Sequence, residues 1–263
     1  MLRQRVITAI VAAAILLLVL YVLPEALARL CLAAIFVGAA WEWSGLLGLG
    51  SPLVRFVYVG LIGVLQLAAF LLVPASLSYE FVLAIAIAWW LAAFAWTFFY
   101  PTPIPAPVGW LGGALVLVPA YVALDWLYGQ SSNLLLFMLI IVWAADSGAY
   151  FSGRKFGHVK LAPAISPGKT WEGVVGGLLA VLLVAVLRGL WTGNDLAVLV
   201  PFCIAVALLS IIGDLTVSMF KRNAGVKDSG TMFPGHGGLL DRIDSVTAAA
   251  PLFAAGVALA GLS

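Results

Sequence analysis

Apolar residues in this chain come in long runs rather than in strict alternation. Runs of mainly apolar residues recur at 6–23, 26–43, 53–74, 80–99, 108–127, 133–152, 173–191, 196–220 and 245–262. Each is close to the ~20 residues that an α-helix needs to cross the hydrocarbon of a bilayer. Pro24, Pro52, Pro74, the stretch Pro101–Pro107 and Gly129-Gln130-Ser131-Ser132 separate them, and such residues end helices or favour turns. The pattern predicts an all-α, polytopic integral membrane protein of about nine transmembrane helices. The run at 26–43 is the least regular, because Glu42 lies near its end. Glycines within the runs suit close helix packing in a bilayer. No internal repeat stands out, and the chain reads as one continuous membrane domain.

The N-terminus imitates a secretory signal: Arg3 and Arg5, an apolar run, then Ala26-Leu27-Ala28. The run from Val6 to Leu23 is too long for a signal core and more spans follow, so it reads as a retained first helix. Threading nine helices from a cytoplasmic N-terminus places Arg3, Arg5, Arg55, Arg154, Lys155, Lys160, Lys169, Lys221, Arg222, Lys227 and Arg242 on the cytoplasmic side. Only Arg29 and Arg188 fall outside. Eleven against two is the asymmetry expected of cytoplasmic loops.

Composition narrows the function classes. Charged residues make up 9% of the chain and hydrophobic ones 64%, far from an average soluble domain with about 25% charged residues. A net charge of +2, without a long basic run, is too small to suggest nucleic acid, and none is expected as a partner. Cys31 and Cys203 lie in apolar stretches, which leaves neither a disulfide framework nor a CxxC metal site.

Polar residues concentrate in the second half. Residues 1–130 carry no catalytic motif; Glu25, Glu42, Glu80 and Asp125 lie near span ends, where an interfacial or solvated carboxylate is the ordinary reading. Residues 131–263 hold two polar connections, 153–172 and 221–244, with both histidines and many glycines. Asp214 is buried in an apolar run, where a carboxylate costs about 3 kcal/mol at mid-bilayer. Asp214, Ser218, Lys221 and Arg222 follow at i, i+4, i+7 and i+8, the spacing of one helical face. A structural ion pair between Asp214 and a cation one or two turns away is the plain alternative.

The following connection offers Lys221, Arg222, Lys227 and Arg242 to phosphates, with Gly235, Gly237 and Gly238 allowing close backbone approach to an anion. Asp241 and Asp244, three apart, add the hard oxygens that Mg²⁺ takes. A second segment runs Asp146–Gly157 and then Ser166-Pro167-Gly168-Lys169-Thr170-Trp171-Glu172-Gly173. Its Gly-Lys-Thr is not a P-loop, since Pro163 stands where the first glycine belongs and no strand precedes it. His158 reads as a loop histidine, whereas His236 sits between glycines in the phosphate-like connection.

Ser218-Met219-Phe220-Lys221-Arg222, Lys227-Asp228-Ser229-Gly230, Pro234-Gly235-His236-Gly237-Gly238 and Asp241-Arg242-Ile243-Asp244 closely resemble the signature of phosphatidate cytidylyltransferases. The Asp146–Gly157 and Ser166–Gly173 segments resemble two further blocks of that family, so the likeness spans about 140–250. It implies that CTP and phosphatidate are converted to CDP-diacylglycerol and pyrophosphate with Mg²⁺, at the inner membrane, with the active site facing the cytoplasm. On this resemblance Asp214, Lys221, Arg222, Asp241 and Asp244 carry the chemistry, and Asp214 and Asp241 hold the metal, with Asp244 as third ligand or orienting partner. Substrates would be held by Asp146, Arg154, Lys169, Ser218, Lys227, Asp228, His236, Gly237 and Arg242.

Two other readings compete. A transporter of a phosphorylated or anionic solute would explain intramembrane charge, but not the investment in glycine-rich cytoplasmic connections. A CDP-alcohol phosphotransferase would carry Asp-Gly-x-x-Ala-Arg followed by further aspartates, and that string is absent. The residues set neither acyl-chain preference nor oligomeric state, and a homodimer stays open.

Overall fold

The computed structural model describes residues 2–72, 79–232 and 237–260. Nine helices follow one another: α1 Leu2–Tyr21, α2 Glu25–Leu46, α3 Pro52–Leu72, α4 Tyr79–Thr97, α5 Ala106–Gln130, α6 Ser132–Phe156, α7 Trp171–Thr192, α8 Leu196–Asn223 and α9 Leu240–Ala260. Among the described residues, eight are long and apolar enough to cross a membrane, and α1 contributes the apolar stretch Val11–Tyr21. The protein is therefore an integral membrane protein of all-α, polytopic build.

Helix ends follow the local sequence. Ser131 accepts the backbone N–H of Asn133 and opens α6, Thr170 accepts that of Gly173 and opens α7, and Asp195 accepts that of Ala197 and opens α8. Each side chain satisfies a donor that the first helical turn leaves orphaned. Pro119, Pro201 and Pro251 lie inside helices, which packed neighbours in a membrane tolerate. Between α6 and α7 a hairpin forms: β1 Lys160–Ala162 runs antiparallel to β2 Ser166–Thr170, pairing Lys160 with Thr170 and Ala162 with Ser166. It is the β element that the helical pattern did not announce.

α5 and α9 are the most buried spans and form the centre. Leu53, Phe56, Val64 and Leu67 of α3 and Leu179, Leu183, Leu187 and Leu190 of α7 are exposed, the outward apolar surface that lipid solvates. α6 and α7 approach closely on small residues. A Cβ on Gly148 would stand 2.7 Å from the carbonyl oxygen of Gly176, and one on Gly177 equally close to that of Ala145. Side chains at either place would push the helices apart.

Polar contacts gather at the two ends of the bundle. At one end Arg29 pairs with Asp125 at 2.6 Å and with Glu25 at 2.9 Å, and the Tyr21 hydroxyl donates to Asn133. Asp125 is thus an ion-paired residue rather than a solvated one. At the other end Asn223 accepts the backbone N–H of Ile104, Arg222 reaches Ile165, and Glu42 reaches Leu239 and Leu240. These contacts bring the start of α5, the hairpin, the end of α8 and the start of α9 together.

Candidate active site

α8 supplies the intramembrane carboxylate. Asp214 lies nine residues before the end of α8, about 14 Å along the axis. Its Oδ1 accepts the hydroxyl of Ser218 at 3.1 Å. Lys221, almost two turns on, is buried and donates to Asp241 Oδ1 at 2.7 Å, with Asp244 Oδ2 at 3.9 Å. Asp214, Ser218 and Lys221 share a face as their spacing predicts. Arg222 leaves it, because eight residues bring it about 80° round the helix. Its guanidinium donates to the carbonyls of Ile165 and Val226 at 3.0 and 3.2 Å. Asp214 instead takes its short ion pair from the hairpin, where Lys169 Nζ stands 2.6 Å from Asp214 Oδ2.

The first turns of α9 add two aspartates. Asp241 Oδ2 accepts the backbone N–H groups of Ser229 and Gly238 at 2.9 and 2.8 Å, a carboxylate placed where a helix N-terminus favours negative charge. Gly237 adopts φ 81°, and a Cβ there would meet that same oxygen at 2.8 Å, so the turn suits glycine on both counts. Asp244 is buried, its Oδ1 accepting the N–H of Ser245 at 2.8 Å, and it repels Asp214 electrostatically. Arg242, the next residue after Asp241, is exposed, its N–H bonded to the Leu239 carbonyl.

α6 and the hairpin build the wall opposite. A cavity of about 510 Å³ is lined by Asp146, Tyr150, Arg154, Lys169, Thr170 and Asp214 among others. Asp146 hydrogen-bonds Ser245 and feels the charges of Asp214 and Lys169. Arg154 donates to the Tyr150 hydroxyl at 3.1 Å. The two segments singled out between Asp146 and Gly173 thus meet one another and α8. Lys227 and Asp228 are exposed on the α8–α9 connection, Asp228 lying against Gly237. His236 lies outside the described residues.

One participant escaped the sequence reading. Glu42, expected at a solvated span end, is 6% exposed. It accepts the N–H of Leu239 on Oε1, and the N–H of Leu240 and the Ser229 hydroxyl on Oε2, all at 2.8 Å. The available signal was an acidic residue set within an apolar helix, at the membrane end that also carries the polar connections.

The donor chemistry fits a divalent cation. Asp214 and Asp244 are carboxylates close enough to repel within a largely buried cluster, and Lys169 and Lys221 supply the compensating charge. Such groups need positive charge beside them, and hard oxygens are what Mg²⁺-like ions take. Among the described residues, no three acidic, histidine or cysteine side chains already stand at metal-holding spacing.

Residues 3–260 match the model of the cytidylyltransferase family. The chain belongs to that family. Similar proteins include a phosphatidate cytidylyltransferase of Pseudomonas aeruginosa, 42% identical over 97% of this chain and 96% of the relative. One of Haemophilus influenzae is 39% identical over 96% of this chain and 97% of its own length. A Staphylococcus saprophyticus protein of the same name is 42% identical over about half of each chain, 51% and 54%. As a cytidylyltransferase the protein is a membrane-embedded nucleotidyltransferase, an activity that generally uses a divalent metal.

Proposed function

We propose that this cytidylyltransferase transfers the cytidylyl group of CTP to phosphatidate, giving CDP-diacylglycerol and pyrophosphate, at the cytoplasmic face of the inner membrane. The observation that carries the reading is the meeting of Asp214, Lys169, Lys221, Asp241 and Asp244 at one end of the helix bundle, beside the cavity under Arg154. Phosphatidate is held in the bilayer by its acyl chains, whereas CTP comes from water. A site at helix ends within reach of both meets the demand that the reaction makes.

A phosphate oxygen of phosphatidate attacks the α-phosphorus of CTP, a new P–O bond forms, and the bond from that phosphorus to the bridging oxygen of the β-phosphate breaks. Pyrophosphate leaves with the electron pair. The lipid phosphate is itself the nucleophile, so the protein acts by positioning and by neutralising charge. Asp214, Asp241 and Asp244 would hold Mg²⁺, which would supply further charge neutralisation on the triphosphate. Lys169 and Lys221 face these carboxylates and present their ammonium groups to phosphate oxygens. Arg154, Lys227 and Arg242 add positive charge at the rim, while Arg222 holds the hairpin against α8. Asp146, Ser218, Asp228 and Gly237 complete the substrate-binding surface.

The eleven-to-two distribution of Lys and Arg supports the cytoplasmic orientation. Purified protein given CTP labelled in its cytidine, phosphatidate and Mg²⁺ should form labelled CDP-diacylglycerol and release pyrophosphate in equal amount. Failure to form that lipid under these conditions overturns the reading.

A further inference from the structure

We propose that Glu42 is a positioning residue of the transfer site: from α2 it fixes the first turn of α9, and with it the place of Asp241. The inference rests on the reaction proposed above for its kinetic consequence, though not for its structural one.

Glu42 belongs to the half of the chain without motifs, yet its three hydrogen-bond partners lie 187 to 198 residues further on. Two are the backbone N–H groups of Leu239 and Leu240, the residues immediately before Asp241. These are donors that an α-helix cannot satisfy within itself, and an acceptor at that position normally comes from the residue that precedes the helix. Here another helix supplies it, with a full negative charge facing the positive end of α9. A carboxylate buried to this degree persists only when its oxygens are hydrogen-bonded.

Ser229 joins this cap to the catalytic carboxylate. Its hydroxyl donates to Glu42 Oε2 while its backbone N–H donates to Asp241 Oδ2. Gly238 packs against Glu42 and Ser229, and its N–H donates to Asp241 Oδ2. A Cβ on Gly230 would stand 2.5 Å from Glu42 Oε1. The two carboxylates therefore hold the same connection from opposite sides. Lys221, bound to the other oxygen of Asp241, extends the chain of contacts to α8. Displacing Glu42 loosens the segment that sets Asp241 relative to Lys221 and Asp214, without touching any group that meets substrate.

Glu42→Gln tests this, since a carboxamide replaces one acceptor oxygen by an N–H₂ group and cannot serve all three donors. The first readout is amide hydrogen exchange of the metal-free protein in detergent. Exchange at residues 239–241 should rise about tenfold or more, the scale of losing a hydrogen bond to a charged group, while α5–α8 keep wild-type protection. The second is steady-state kinetics: kcat falls about 10- to 100-fold, KM for CTP and phosphatidate stays within about threefold, and Glu42→Asp recovers part of the loss. Unchanged exchange at 239–241, equal loosening of all helices, or an effect confined to KM overturns the assignment. If Glu42→Gln does not fold, Ser229→Ala, which deletes one donor to the same carboxylate, is judged by the same exchange criterion. A wild-type protein inactive with CTP and phosphatidate would sink the reaction assigned above and leave the exchange result to decide the role of Glu42.

Discussion

Lys169, at the foot of β2, and Asp214, inside α8, meet as ammonium and carboxylate at 2.6 Å. They are 45 residues apart, and the contact docks the hairpin against an acidic residue inside a membrane span. Both side chains are 26% exposed, so water reaches the pair only in part and the attraction is screened less than at a surface.

Asp214→Asn keeps the shape and removes the charge. We expect cytidylyl transfer to fall by about 100-fold or more, the scale of deleting a group that organises transition-state charge. Helix content should stay as in the wild type by circular dichroism. Near-normal turnover at limiting Mg²⁺ would remove Asp214 from the metal set.

Lys221 is the buried partner of Asp241, their side chains 8% and 7% exposed. Lys221→Gln leaves that carboxylate uncompensated and should destabilise the protein by about 3–5 kcal/mol, read as a lower midpoint of thermal unfolding in detergent. Lys221→Gln with Asp241→Asn should recover most of that stability and none of the activity. A double variant no more stable than the single one would show that the pair is not coupled.

Much of this was legible in the sequence, and the reason is periodicity. Runs long enough to span a bilayer revealed the helices, and i, i+4, i+7 spacing put Asp214, Ser218 and Lys221 on one face. Asp241 and Asp244, three apart, land in the first turns of α9 as that spacing suggests. The role of Glu42 was not legible, because its partners lie 187 to 198 residues further on and an acidic residue within an apolar helix does not by itself say what it binds. The hairpin was hidden for a different reason. Lys160–Thr170 contains two prolines and no alternation of apolar and polar residues, and its strands are held by docking onto α7 and α8. Arg222 read as a fourth member of the Asp214 face, and only the packed hairpin shows that its partners are backbone carbonyls.

Arg222→Gln should act differently from Lys221→Gln. It releases the carbonyls of Ile165 and Val226, so amide exchange in 160–170 rises while the helices keep their protection. The KM for CTP should increase about three- to tenfold with kcat little changed, whereas Lys221→Gln lowers kcat with both substrates. Equal kinetic effects of the two changes would refute this division.

The orientation is open to direct labelling. With Cys31 and Cys203 replaced, single cysteines at Lys160 and Lys227, both exposed, should react with an impermeant maleimide only after the membrane is opened. Labelling of either in intact cells would reverse the threading.

Between the ion-paired end at Arg29 and the carboxylate end at Asp214 lies a layer of buried Leu117, Met138, Ile141, Val206, Ala250 and Phe253. Electrically this layer is an insulator, since moving a charge into such a medium is costly. A charged group held at the Asp214 end therefore meets an apolar barrier before it could reach the opposite surface.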